Sequence, residues 1–500
     1  MKLTRRNVLS TFALTTAGTV ARPLRGVFAQ DSALRDTPLQ DPQRPAFHLQ
    51  PARGWMNDPC GPIYWRDQYH MFHQYNPHAA VWGDMHWAHA VSPDMIHWQR
   101  LPIALAPTPG GPDAQGCFTG TAIVHNNTPH LLYTGVQTVP LAEATLSDGH
   151  NNFRESQCLA IATDDSLNTW NKFPQPVIPT PPPGMHVTGF RDPAPWREGD
   201  AFYTLIASGI PKVGGNVLLY RSSDLHTWQY LHPMVQGQWS GIPGNNPVDT
   251  GEMWECPDFF PLGTGGKHIL IYSIQGRTIW QSGVLDRRTM LFHAERTGEL
   301  DYGKGTYYAP KTQLDSHGNR ILWGWIPETR PQAEYAAAGW SGMMSLPRTL
   351  TLNGNDLMLA PAPQTERLRA STNPNPAQLP NTRQEFRCVL QAATAGNPLP
   401  YRISDPVGTL VEIRSDQNQS PRTLIVDDVR IEMPEPLPAQ AGLHLFIDNS
   451  VVELFIDSRF CVTRRFYSRT SGKPVVTLIL PGQPRVSRPQ SFSLHSIWPS

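Results

Sequence analysis

The chain has 500 residues, with 41 basic and 41 acidic side chains, 50 prolines and 39 glycines. Sparse, balanced charge leaves no basic patch for nucleic acid, and no unbroken apolar stretch is long enough to span a membrane. Proline and glycine without a period exclude collagen and argue for many short strands and turns. The length exceeds one ordinary core, so two domains are expected.

The N-terminus, "TRRNVLSTFALTTAGTVARPLRGVFAQ", runs from Arg5-Arg6 through a mildly apolar segment to Val27-Phe28-Ala29. That order predicts a twin-arginine signal peptide over 1–29 and export to the periplasm or medium. A polar, proline-rich, flexible segment is expected over 30–46, with the folded part starting at Phe47. Cys60, Cys117, Cys158, Cys256, Cys388 and Cys461 form no close pairs. A cargo folded before translocation keeps its thiols, so no disulfide framework is expected.

A weak internal repeat follows. "AVSPDMIHWQ" places Asp94 before Trp98, "YRSSDLHTWQ" places Asp224 before Trp228, and "IATDDSLNTWN" places Asp165 before Trp170. "GVLDRRTMLF" around Asp286 is a degraded copy. Strand-and-turn units recurring at roughly sixty to seventy residues suit the blades of a β-propeller, each tryptophan packing back on its blade edge. The propeller is assigned to 47–348. A Pro/Asn-rich linker is expected over 349–375. Alternating segments such as "LHLFIDNSVVELFID" then predict a β-sandwich over 376–500. The fold class is all-β.

Three acids sit in unusual surroundings: Asp58 in "WMNDPCGP", Asp192 in "GFRDPAPW" and Glu255 in "MWECPDFF". The innermost strands of successive blades line one funnel, so acids far apart in sequence can meet there. Carboxylates that meet divide into an ionised and a protonated member, which is what glycoside hydrolysis requires. Arg191 would offset the accumulated negative charge. Between the first acid and the repeats lies "HMFHQYNPHAAVWGDMHWAHAVSPD", whose His70, His73, His78, His86 and His89 fit no helical zinc spacing. A sugar pocket is the better reading, with Gln74, Trp82 and Trp87 as candidates, and no metal is expected.

"WMNDP", "FRDP" and "WECPD" in this order make the chain resemble the invertase-type β-fructofuranosidases of glycoside hydrolase family 32. "FHQYNP", "HWAHAVSPD", "GCFTGTA", "DYGKGTYYAP", "ILWGWI" and "FIDNSVVELF" add to the likeness, which runs from about Phe47 to Trp498. The resemblance implies a five-bladed propeller followed by a sandwich, and no cofactor. It makes Asp58 the nucleophile, Glu255 the acid/base and Asp192 the stabiliser. It places Asn57, Gln74, Trp82, Phe118, Thr119 and Arg191 in the fructose pocket, with Tyr308 and Trp325 near the acid or pocket wall.

The implied partner is a small-molecule or oligosaccharide substrate, sucrose or a short fructan, hydrolysed with retention. The alternative is fructosyl transfer from sucrose, because Cys60, Thr119 and Ala88 depart from the usual asparagine, serine and glycine. A non-catalytic carbohydrate-binding protein is a third reading. Retention of all three acids argues against it. The sequence sets no oligomeric state.

Overall fold

The computed structural model describes residues 41–147, 152–374, 382–391, 401–405, 407–415, 423–426, 429–432, 440–468, 477–478 and 486–498. The leader expected over 1–29 lies outside them. Five sheets succeed one another as blades among the described residues. Blade one is β1 (Gly54–Trp65), β2 (Gln68–Asn76), β3 (His86–Ser92) and β4 (Gln99–Leu105). Blade two is β5 (Gly116–His125), β6 (Thr128–Thr138), β7 (Leu146–Ser147), β8 (Asn152–Ala162) and β9 (Trp170–Lys172). Blade three is β10 (Phe190–Glu198), β11 (Ala201–Ile210), β12 (Gly214–Ser222) and β13 (Gln229–Gln236). Blade four is β14 (Glu255–Pro261), β15 (Lys267–Ile274), β16 (Arg277–Asp286) and β17 (Leu291–Glu299).

Blade five is β18 (Tyr308–Leu314), β19 (Arg320–Ile326), β22 (Arg348–Asn353) and β23 (Asp356–Pro361). Between its strands run β20 (Trp340–Ser341) and β21 (Met343–Met344). The short β20 crosses back to pair in parallel with β1, joining the last blade to the first.

The stretch 349–375 is therefore not a linker throughout. β22 and β23 form a hairpin around Gly354, whose φ of 62° suits a tight turn. They complete blade five, because β19 would otherwise present a bare edge. Segment 30–46 is likewise not loose where it is described. Asp41 accepts from Trp340 Nε1 at 2.9 Å and Arg330 Nη1 at 3.0 Å. The Arg44 guanidinium lies 4.9 Å over the Trp340 ring.

The turn repeat is present, with one shift of register. Asp94 Oδ1 accepts from Ile96 N and His97 N at 3.0 and 2.9 Å, and Asp224 Oδ1 from His226 N and Thr227 N, both at 2.8 Å. In blade two this work falls to Asp164, which accepts from Ser166 N at 2.9 Å and Thr169 N at 2.8 Å. Asp165, the expected counterpart, points outward to Arg66. Met95, Leu167, Leu225 and Met290 all take a left-handed φ between 57° and 66° at these turns, so the Asx bonds hold a backbone that β-branched residues would resist. The tryptophans do more than close their own edges. Trp98 packs edge-on against Trp323 of blade five at 5.6 Å, and Trp170 against Phe72 of blade one at 5.7 Å. They stitch blade one to blade five and blade two to blade one.

The sandwich has a six-stranded sheet ordered β24-β34-β25-β30-β31-β32 and a five-stranded sheet ordered β29-β28-β27-β26-β33. The first comprises β24 (Arg369–Thr372), β25 (Arg383–Gln391), β30 (Gln440–Asp448), β31 (Val451–Ile456), β32 (Phe460–Arg465) and β34 (Val486–Leu494). The second comprises β26 (Tyr401–Asp405), β27 (Gly408–Ser415), β28 (Thr423–Val426), β29 (Val429–Glu432) and β33 (Thr477–Leu478). One apolar cluster is shared by the two domains, with Phe260, Trp280, Leu322 and Leu350 from the propeller and Phe446, Phe455 and Leu494 from the sandwich. All six cysteines are buried.

Of the histidine-rich stretch, His70, His73 and His89 are buried inside blade one. Burial holds His70 and His73 each down to about 4, against an ordinary 6.5. His48 is the opposite case. Burial alone would lower it, but its bonds to Asp448 and Glu453 outweigh burial and raise it to about 9.

Below pH 6.5 the unfolded chain protonates its histidines while His70 and His73 stay neutral in the fold. Their contribution is thus lost as pH falls from 6.5 toward 4, by up to about 1.4 kcal/mol per unit for each. The His48 contribution is fully present below 6.5 and is lost as pH rises through about 9. The urea midpoint is therefore expected to fall on both sides of neutrality, and a flat profile between pH 6.5 and 4.5 would contradict this reading.

Candidate active site

Five inner strands converge on one axis: β1, β5, β10, β14 and β18 each contact the next, and β18 contacts β1. Each carries the same irregularity near its first residues. Ladder register shifts fall between Met56 and Pro59, Phe118 and Gly120, Arg191 and Ala194, Glu255 and Asp258, and Tyr308 and Lys311. The triplets at the bulges are Asn57-Asp58-Pro59, Phe118-Thr119-Gly120, Arg191-Asp192-Pro193, Glu255-Cys256-Pro257 and Tyr308-Ala309-Pro310. Asp192, Cys256 and Ala309 sit at φ 60°, 50° and 51°. Proline withholds a ladder donor and the bulge re-aims the two residues before it. The fold thus repeats one bulge five times, with proline in four of the triplets and Gly120 in the other, and fills it with different chemistry.

Asp58 is completely buried. Its Oδ1 accepts from Asn57 Nδ2 at 2.9 Å, and its Oδ2 from Thr119 Oγ1 at 2.6 Å and Cys256 Sγ at 3.3 Å. Asn57 is held in turn by Trp55 Nε1 at 2.8 Å. The Cys256 thiol also reaches Asp192 Oδ2 at 3.4 Å, an atom that accepts from Cys256 N at 2.9 Å. One sulfur therefore spans both aspartates. Arg191 donates to Glu255 Oε1 through Nη2 at 2.9 Å and Nε at 3.2 Å, and the Tyr308 hydroxyl donates to Glu255 Oε2 at 2.8 Å. Beneath Asp58, burial and the neighbouring carboxylate push the Cys60 thiol up to about 12, so it stays protonated.

The remaining pocket candidates fall around this centre. Phe118 packs edge-on against Trp82 at 5.7 Å. Gln74, on the second strand of blade one, donates to Cys117 O at 2.8 Å. Trp325 pairs in register with Tyr308 and lies 5.8 Å from Trp55. Gln74 Oε1, Trp82 Nε1 and Trp325 Nε1 are buried without a protein hydrogen-bond partner among the described residues, which suits a polyhydroxylated ligand. Trp87 is different. It is fully buried and donates to Phe118 O at 3.0 Å, a core tryptophan supporting the wall rather than forming it.

Sequence reasoning missed two contributors. Trp55 stood inside the quoted motif and could have been read as the holder of Asn57. Glu155, a fully buried acid in β8, accepts from Arg191 Nη1 at 2.8 Å. Its segment "NFRESQC" carries no motif.

The floor behind Asp58 is tight as well. Gly342 has φ 80°, and a Cβ there would meet Met56 O at 2.0 Å. Gly342→Ala is expected to destabilise the protein by about 2 kcal/mol or more and to displace Asn57 and Asp58. A thermal melt and a kcat measurement read both effects.

The profile described as glycosyl hydrolases family 32 N-terminal domain matches residues 48–361, and the family's C-terminal profile matches 412–478. The chain belongs to glycoside hydrolase family 32. It is 36% identical over 458 residues to a sucrose-6-phosphate hydrolase of Escherichia coli, covering 85% of this chain and 89% of the relative. It is 32% identical to an E. coli raffinose invertase, covering 86% and 90%. Among solved structures, a Bombyx mori β-fructofuranosidase superposes with a TM-score of 0.76 at 29% identity, covering 94% of this chain and 98% of the other. A mutant of that silkworm enzyme in complex with sucrose superposes with a TM-score of 0.75 at 28% identity. The five-bladed propeller with its sandwich is thus the fold of a glycoside hydrolase.

Proposed function

We propose that the chain is a retaining β-fructofuranosidase that hydrolyses sucrose through a covalent fructosyl-enzyme intermediate. The observation that carries this reading is the convergence of β1, β10 and β14, which bring the buried Asp58, Asp192 and Glu255 to one axis, with the Cys256 thiol against both aspartates and Arg191 on Glu255. Asn57, Thr119 and Cys256 fix the Asp58 carboxylate, so its attack on the anomeric carbon of fructose needs little reorganisation. As the Asp58 oxygen bonds to that carbon, the bond to the glucosyl oxygen breaks and the proton of Glu255 passes to that oxygen. Glu255 then takes a proton from water, the hydroxide attacks the same carbon, and Asp58 leaves. Asp192, with one oxygen anchored by Cys256 N, is aimed at the fructose hydroxyls and supports positive charge on the ring as it develops.

Hydrolysis is favoured over transfer by the relatives, which are named hydrolases and invertases. Product analysis with sucrose tests it. Equal glucose and fructose at low and high concentration are expected. Glucose in excess with growing oligosaccharides would establish transfer, and no release would refute the substrate. The leader read over 1–29 makes export part of the proposal, and the mature N-terminus recovered from the periplasm or medium would test that.

A further inference from the structure

Glu255 has to give up a proton, yet both its oxygens face donors, Arg191 on one and the Tyr308 hydroxyl on the other. An arginine devoted to this carboxylate would hold it ionised and unfit to act as an acid. Arg191 is not so devoted. Its Nη1 donates to Glu155 Oε1 at 2.8 Å while Nη2 serves Glu255 at 2.9 Å. The Arg191, Glu155 and Glu255 side chains are 4%, 0% and 3% exposed, so solvent screens little of their interaction. Glu155 is anchored independently of the site. Its Oε2 accepts from Phe190 N at 2.6 Å and Thr145 Oγ1 at 3.3 Å. A neutral acceptor would satisfy those two donors equally well. Only a negative charge competes for Arg191.

We propose that Glu155 is a positioning residue that draws on the charge of Arg191 and so keeps Glu255 able to hold its proton until the leaving group needs it. This rests on the reading of Glu255 as the acid. Other groups near Glu255 include the Tyr308 hydroxyl, the Cys256 thiol with Asp58 and Asp192 beyond it, and the buried Lys311, which donates at 2.6 Å to Pro257 O on the same strand as Glu255. None of these is altered by changing Glu155. Removing its charge takes a negative group from the neighbourhood of Glu255 and removes a competitor for Arg191. Both changes favour the ionised acid.

The test is the pH profile of kcat/KM on sucrose for Glu155→Gln, Glu155→Ala and Glu155→Asp. The alkaline limb, where the acid loses its proton, is expected to move about one unit lower for the glutamine and alanine variants. Above the limb that shift is about a tenfold loss, with little change on the acid side. Glu155→Asp keeps the charge, and its limb should lie closer to that of the unmodified enzyme. Glutamine must set an amide donor against either Phe190 N or Arg191, so this variant loses some folded protein. Such loss scales the whole curve and leaves its midpoint in place.

An even drop across pH, or a limb moved upward, would overturn the proposal. A β-fructofuranosyl fluoride, whose leaving group needs no proton, separates the two levels of inference. If the unmodified enzyme keeps its alkaline limb on the fluoride, the assignment of Glu255 fails and takes this inference with it. If the limb vanishes on the fluoride but Glu155→Gln and Glu155→Ala do not move it on sucrose, only the role of Glu155 is refuted.

Discussion

Asp58→Ala is expected to lower kcat on sucrose by about 10⁴-fold or more, with a melting temperature equal to or above that of the unmodified enzyme. The rate falls because no neighbouring group can replace the attacking oxygen. Asn57 offers no nucleophile, and Thr119 and Cys256 reach that position as a protonated hydroxyl and thiol that donate to the carboxylate. Stability does not fall in step, because removing one of several crowded, buried carboxylates relieves repulsion. Glu255→Ala is expected to match the loss on sucrose but to behave differently on β-fructofuranosyl fluoride. Its first step should run at near-normal rate there, since fluoride leaves without a proton, whereas Asp58→Ala stays inactive on both. Near-normal turnover of Asp58→Ala, or equal behaviour of the two variants on the fluoride, would sink the assignment of nucleophile and acid.

What the sequence disclosed follows from where each residue's constraint lies. Asp58, Asp192 and Glu255 were legible because each sits at a proline-marked bulge, where local chemistry is written into consecutive residues. The deeper pattern was on the page too. Asn57-Asp58-Pro59, Arg191-Asp192-Pro193, Glu255-Cys256-Pro257 and Tyr308-Ala309-Pro310 share a proline in third place, although the ladder shift in β1 falls one residue earlier relative to that proline than in β10, β14 and β18. Aligned this way, Cys256 stands at the position of Asp58 and Asp192, while Glu255 stands at that of Asn57 and Arg191.

The turn repeat was legible at Asp94 and Asp224, where Ser and His flank the acid. It slipped at Asp164-Asp165 because two adjacent aspartates are equivalent by composition and the bonds from Ser166 N and Thr169 N, made to Asp164, separate them. The hairpin around Gly354 was hidden by the proline-rich texture that follows it, although "TLTLNGNDLML" alternates as two strands should. Glu155 could not be found this way. Its meaning lies wholly in a contact with Arg191 across two blades.

Arg348→Met is expected to cost about 3–5 kcal/mol of stability without altering the chemistry of the molecules that remain folded. Arg348 opens the third strand of blade five and is completely buried where the propeller meets the sandwich. Its Nη1 pairs with Asp301 Oδ2 at 3.0 Å and its Nη2 with Glu453 Oε2 at 2.7 Å, with the guanidinium 4.1 Å from the Tyr307 ring. Glu453 lies in the sandwich and also bonds His48 at 3.0 Å, which ties the N-terminal segment into the same network. Methionine fills much of the volume but leaves two carboxylates facing each other with one cation gone. The cost is that of stranding charge, not of losing packing. Adding Asp301→Asn and Glu453→Gln to Arg348→Met should therefore recover part of the stability, although each change alone destabilises. Urea unfolding of the single and triple variants, followed by tryptophan fluorescence, makes the comparison. A single variant costing under about 1 kcal/mol, or a triple variant as unstable as the sum of its parts, would show that the domains are joined by their shared apolar cluster instead.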